Sequence, residues 1–240
     1  MSNTHPLELT HEGTSLVGQL IHPEQTSGKR PAVLVVPDAM GLSPFYVAKA
    51  RQLADLGYVA LAADMYGNGF YSDIPEDAGN HYLVFHQNPS LMRARVLAWY
   101  EKLTSLPEVD PTRVAAIGYC FGGQCMLELA RSGCSVKAVV SYHGLLTTHQ
   151  PAEPDAISGL VVVYTGNRDP YVPQEHIDGL RKEMATANAR LYLTEFSDAY
   201  HAFTNPKPPR GVESGMQYNA LCDKLSWTGT LATLEQVLGQ

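Results

Sequence analysis

Apolar and polar positions along the chain follow two periodicities that alternate. Near the N-terminus, "LELT" and "LVGQLIHP" flank the turn "HEGTS" and read as a hairpin. A polar connection, "EQTSGKRP", leads to "PAVLVVPD", a short, nearly continuous apolar run of the kind a parallel sheet buries on both faces. "LSPFYVAKARQLADLGY" then changes to a helical pattern. Ser43 suits its cap, Pro44 its first position and Gly57 its exit. "YVALAAD" is the next strand and "MYGNGFYSDIPEDAGN" a glycine-rich loop. "SLMRARVLAWYEKLTSL" is a helix with Leu91, Val96, Leu97 and Tyr100 near one face.

The alternation continues through strand "RVAAIGY", helix "FGGQCMLELARSG" ending at Gly133, and strand "VKAVVSYHG". After the proline-bearing loop "LLTTHQPAEPDAIS" come strand "GLVVVYTG", helix "PQEHIDGLRKEMATAN" and strand "ARLYLTEF". The loop "SDAYHAFTNPKPPRGVES" leads to a final helix, "MQYNALCDKLSWTGTLATLEQVL", which Gly229 weakens in its middle. This order predicts an α/β fold: a mostly parallel central sheet flanked by helices on both faces, with an N-terminal hairpin. Nothing divides the chain, so residues 1–240 read as one domain.

Composition removes several classes of function. With 45% hydrophobic and 17% charged residues the chain is globular, yet no run approaches the roughly 18 apolar residues of a membrane span. The start, "MSNTHPLELTHEGTS", lacks a basic region followed by an apolar one, so a cytoplasmic location without a secretory signal is expected. A net charge of −7 argues against a nucleic-acid partner. The four cysteines have no zinc-type spacing, and Cys125, Cys134 and Cys222 read as small buried hydrophobes. Nothing demands a protein partner, and a monomer is expected.

Cys120 differs from these three. It stands between Gly118 and Gly122 in "GYCFG", where a strand runs into a helix. Flanking glycines permit a tight, strained turn, and the helix N-terminus favours a thiolate. Two later post-strand loops carry partners: Asp169 in "TGNRDPYVP" and His201 in "SDAYHAF". In open α/β sheets functional groups gather at the carboxyl ends of strands. The chain order nucleophile, acid, base is that of a nucleophile elbow. His201 would take the thiol proton and later deliver one to the leaving group, while Asp169 would hold the imidazole tautomer. The Phe121 amide is one expected oxyanion donor and the Ala39 amide, in "VVPDAMG", the other. Against these stand plainer readings: a packed thiol at Cys120, an Asx turn at Asp169, and His143, His149 or His176 in place of His201. His143 is expected in a pocket wall or in packing. Tyr82, Phe85, Tyr142, Tyr171 and Phe203 are mostly core residues by type, some of them candidates to line a substrate cavity.

Together "GYVALAADMYGNG", "RVAAIGYCFGG", the aspartate of "TGNRDPYVP" and "YHAFTNP" make nearly the whole chain resemble the dienelactone hydrolase family of α/β hydrolases. The resemblance implies a triad of Cys120, His201 and Asp169, and cleavage of an ester or lactone with no metal or organic cofactor. Two positions depart from the family pattern. Asp38 stands where the family usually carries a glutamate that approaches the thiol and modulates its ionisation; a turn-capping role beside Gly41 is the alternative. Asn205 stands where members that accept dienelactone carry an arginine for the substrate carboxylate. Arg93, Arg95 and Arg210 are candidates to replace it, each also readable as a salt-bridge or solvated residue. The expected function is a carboxylic ester or lactone hydrolase acting on a small molecule through a thioester on Cys120. A thioesterase or acyl transferase on the same fold, and a binding protein that kept the fold without catalysis, are the alternatives.

Overall fold

The computed structural model describes residues 3–24 and 28–239. Part of the polar connection, residues 25–27, lies outside them. The first two strands, β1 (Asn3–His11) and β2 (Thr14–His22), pair antiparallel around Glu12 and Gly13. Both turn residues have positive φ (47° and 75°), the geometry of a two-residue type I′ hairpin.

The remaining strands are β3 (Arg30–Val36), β4 (Val59–Ala62), β5 (Val109–Tyr119), β6 (Ala138–Tyr142), β7 (Leu160–Gly166) and β8 (Arg190–Phe196). The sheet order is β1-β2-β4-β3-β5-β6-β7-β8. The strands from β4 to β8 run parallel, and β2 joins β4 antiparallel. Six helices cover it: α1 (Pro44–Asp55), α2 (Pro75–Gln87), α3 (Pro89–Thr104), α4 (Phe121–Arg131), α5 (Gln174–Thr186) and α6 (Ala220–Leu238). Alternate residues of β3 explain its continuous apolar run. Ala32, Leu34 and Val36 enter the core shared with α3, α4 and α5, whereas Val33 and Val35 enter the core beneath α1 and α6. The chain leaves β3 toward β4 on one side and returns to β5 on the other. The carboxyl ends of β3 and β5 therefore form the switch point where open α/β sheets place their sites.

Two helix starts differ from the sequence reading, and β1 and β5 each begin four residues earlier than read. The stretch read as a loop through residue 80 turns helical at Pro75, the first residue of α2. Ala78 and Phe85 are its buried residues, while Leu83 and Val84 face solvent, so no apolar stripe announced the helix. The last helix begins at Ala220, not Met216, because Asn219 is extended and caps it through Cys222 N (3.2 Å). Gly229 within it is a packing requirement: a Cβ there would meet the Tyr164 hydroxyl at 2.3 Å. No helix among the described residues is long and apolar enough to cross a membrane.

The "AADMYGNG" stretch is held by one buried carboxylate. Asp64 accepts from the backbone N–H groups of Val17, Tyr66, Gly67 and Gly69 at 2.7–3.0 Å, and its own carbonyl accepts from Trp99 Nε1 at 2.7 Å. Asp64→Asn turns one acceptor into a donor facing other donors. A loss of about 2 kcal/mol is expected in denaturant unfolding of the variant.

Candidate active site

The turn after β5 is built around a steric necessity. Cys120 sits at φ 53°, ψ −112°, outside the regions comfortable for a non-glycine residue, and its N–H is tied to the Tyr142 carbonyl at 2.9 Å. A Cβ on Gly118 would lie 2.1 Å from the Gly122 carbonyl oxygen. One on Gly122 would lie 2.1 Å from that of Val36 and 2.5 Å from that of Pro37. These two bare backbones let the elbow press against the end of β3. The segment Pro37–Ala39 is thereby brought beside Phe121, the first residue of α4. The N–H groups of Ala39 and Phe121 make no hydrogen bond among the described residues.

The three far-apart candidates converge. His201 Nε2 is 3.0 Å from Cys120 Sγ, and His201 Nδ1 is 2.7 Å from Asp169 Oδ2. Asp169 also forms the Asx turn, its Oδ1 accepting the Tyr171 N–H (2.9 Å). Asp169 and His201 are buried, whereas Cys120 is partly open to solvent. Burial opposes charge on the imidazole. The negative charge of Cys120 and the hydrogen bond with Asp169 outweigh it and raise His201 to about 10. The proton is therefore favoured on His201 at neutral pH when the sulfur is anionic.

His201 is also clamped by a segment that sequence patterning did not single out. Its N–H donates to the Gly215 carbonyl and its carbonyl accepts from Gln217, so the chain around a short 3-10 turn, Val212–Ser214, runs alongside it. Tyr171 bridges the two: its ring meets His201 edge-on at 4.9 Å and its hydroxyl donates to the Ser214 carbonyl. His143 plays the packing role. It is buried beside His201, ring centroids 5.2 Å apart, with Nε2 2.8 Å from the Thr204 hydroxyl. Burial holds its pKa well below the ordinary histidine value, which keeps a second positive charge away from His201.

The aromatic candidates separate by position. Tyr82 and Phe85 line a small cavity of about 140 Å³ against α4, and both pack on Phe121. Tyr142 and Phe203 are packed in the core. Tyr142 stacks between Tyr119 (4.5 Å) and Tyr164 (5.5 Å) on the α6 side of the sheet, and Phe203 packs edge-on against Phe196. Strand alternation turns Tyr142 to that face. Two aromatics absent from the sequence reading stand closer. Tyr66 stacks on Phe121 (5.6 Å) and donates to the Ala39 carbonyl (3.0 Å), while Tyr46 donates to Asp38 (2.7 Å). Aromatic residues are common enough in cores that neither carried a signal.

Asp38 has the turn-capping role and is buried. Oδ1 caps the Met40 N–H at 3.0 Å and Oδ2 accepts from Tyr46. Burial raises the carboxyl to about 6, partly offset by the hydrogen bonds from Tyr46 and Met40 and by the charge of His201. Because the folded pKa lies above the unfolded value of 3.8, stability falls as pH rises from about 4 to about 6, by on the order of 3 kcal/mol. Asp38→Asn is thus expected to match the parent in stability near pH 4 and to exceed it above pH 6. Above pH 6 it should also react about three- to tenfold faster with iodoacetamide at Cys120, since a like charge has left the thiolate's surroundings. Equal alkylation rates at every pH would place Asp38 outside the electrostatic reach of the sulfur.

Neither helical arginine is free to hold a substrate. Arg93 Nε donates to Glu128 Oε2 (2.8 Å), within a buried network completed by Arg131 and Glu183. Arg95 donates to the Met65 carbonyl (2.9 Å) and lies over the Phe85 ring. Arg210 is exposed.

Nearly the whole chain is similar to known proteins. A model of the dienelactone hydrolase family matches residues 16–238. A protein named "Putative carboxymethylenebutenolidase" from Escherichia coli (strain K12) is 26% identical, covering 95% of this chain and 85% of that one. Among solved structures, one titled "m3DLH" is 37% identical with a TM-score of 0.90, covering 98% of both chains. A dienelactone hydrolase-like promiscuous phosphotriesterase from metagenomic libraries is 33% identical with a TM-score of 0.91, covering 99% of both.

Proposed function

This chain belongs to the dienelactone hydrolase family, and we propose that it hydrolyses lactones or activated carboxylic esters through a covalent thioester on Cys120. The observation that carries the reading is the unbroken line of contacts from Cys120 Sγ through the His201 ring to Asp169, at 3.0 and 2.7 Å. Sulfur attacks the acyl carbon while His201 Nε2 holds the proton. The N–H groups of Ala39 and Phe121 receive the charge that develops on the carbonyl oxygen. Collapse breaks the bond to the ring or alcohol oxygen, which takes the proton from His201. Water then gives a proton to His201 and attacks the thioester, releasing the acid and restoring the thiol. Enolates and phenolates suit this site as leaving groups, because they depart with little help from an acid.

The direct test is to quench a reaction with p-nitrophenyl acetate in acid and to map the protein by mass spectrometry. A burst of nitrophenolate with one acetyl group on Cys120 is expected. Steady turnover with acetylation elsewhere would remove the sulfur from the reaction. Adding alcohol or thiol acceptors distinguishes a hydrolase from an acyl transferase by its products. A second reading, cleavage of phosphotriesters, is favoured by the relative whose title carries that activity. It predicts a dialkyl phosphoryl adduct on Cys120 with paraoxon, read in the same mass measurement.

A further inference from the structure

A cleft of about 710 Å³, within the range that holds small-molecule ligands, is lined by Asp38 and Met40, the chain neighbours of Ala39, and by Asn205, four residues after His201. Its walls are the two segments that serve the reaction, the one following β3 and the one following His201, closed on a third side by the loop at Tyr71 and Asp73. We propose that this cleft receives the chain attached to the substrate carbonyl, and that it selects neutral apolar chains over chains that carry a carboxylate. The proposal rests on the hydrolase reading above and names the substrate class for that site.

The lining supports both halves. Met40, Phe45 and Tyr71 supply apolar surface, facing Pro206, Pro208 and Pro209. Prolines carry no backbone N–H, so this wall is rigid and nearly free of the amide donors that would hold an anion. The one N–H between them, that of Lys207, is spent on the Asn205 side chain at 2.9 Å. The Met40 N–H is likewise spent on Asp38. Two carboxylates, Asp38 and Asp73, line the cleft against one cation, Lys207, whose side chain is on the exposed surface, and no arginine lines it. Asp73 and Lys207 are both exposed and roughly offset each other, so a carboxylate entering here meets the charge of buried Asp38 with no arginine in the lining to pair it.

The matched probes are p-nitrophenyl hexanoate and mono-p-nitrophenyl adipate, which share a six-carbon acyl chain and differ in the terminal carboxylate. At pH 8 the hexanoate is expected to be cleaved with a kcat/KM about tenfold or more above the adipate. The gap should narrow at 0.5 M salt through screening. Asp73→Asn should narrow it by roughly threefold at low salt, and Phe45→Ala should raise KM for the hexanoate more than for p-nitrophenyl acetate. Equal or faster cleavage of the adipate would overturn the proposal and leave the hydrolase reading intact. Wild-type kinetics in both variants would place the chain elsewhere and overturn it equally. Cleavage of neither ester would remove the hydrolase reading and this proposal together.

Discussion

Cys120→Ala is expected to lower kcat/KM for aryl ester hydrolysis by three orders of magnitude or more while leaving the protein folded. The activity loss follows from the site's construction. The sulfur is the proposed nucleophile, and the His201 imidazole is 3.0 Å from it. Removing it deletes the covalent route, so that only binding and oxyanion stabilisation remain. Folding is spared because alanine and cysteine pay the same backbone strain at φ 53° and the side chain is only partly buried. A second readout separates loss of the nucleophile from collapse of the site. The charge of Cys120 is a main reason for the raised pKa of His201, so the variant's His201 should titrate lower than the parent's by NMR. Activity within tenfold of the parent, in a folded variant with that lower titration, would refute the assigned nucleophile.

Gly122→Ala should damage both fold and function. The added methyl would lie 2.1 and 2.5 Å from two backbone oxygens at the end of β3, far inside van der Waals contact, and no flexible side chain can yield there. The elbow and the β3 exit must separate, at an expected 4 kcal/mol or more, which in a chain this long lowers Tm by about 8–16 °C. The same separation moves Ala39 away from Phe121, and with it the pair of amides assigned to the oxyanion. Activity measured well below the new Tm should therefore fall at least a hundredfold, beyond what loss of folded protein explains. Gly179, on an exposed face of α5 with open space around it, is the control: Gly179→Ala should leave activity as it is and raise stability slightly.

Much of this was readable from residue order. The apolar run of β3, the glycines around Cys120 and the positions of Asp169 and His201 after later strands follow from patterning and backbone sterics, which are local. The hairpin is local too, since Glu12 and Gly13 specify its turn. The element that escaped, α2, has too few buried residues to impose a period on its sequence. The start of α6 escaped because Met216 is claimed by pairing with His201, a contact between distant segments.

The assignments that needed the tertiary structure share that character. Tyr46 contacts Asp38, Tyr66 contacts Ala39, Tyr142 is packed on the α6 side of the sheet, Asp38 is raised to about 6, and Arg93 and Arg95 are engaged by Glu128 and by the Met65 carbonyl. The sequence by itself determined the order of the strands and of every helix but α2, and it pointed to the elbow and to the three residues that converge there, because propensity, periodicity and chain order reside within short segments. The folded chain alone decided which side chains share a dry space and which charges are spent on neighbours. Burial and electrostatics depend on everything within several ångströms of a group, and nearly all of that arrives from remote parts of the chain.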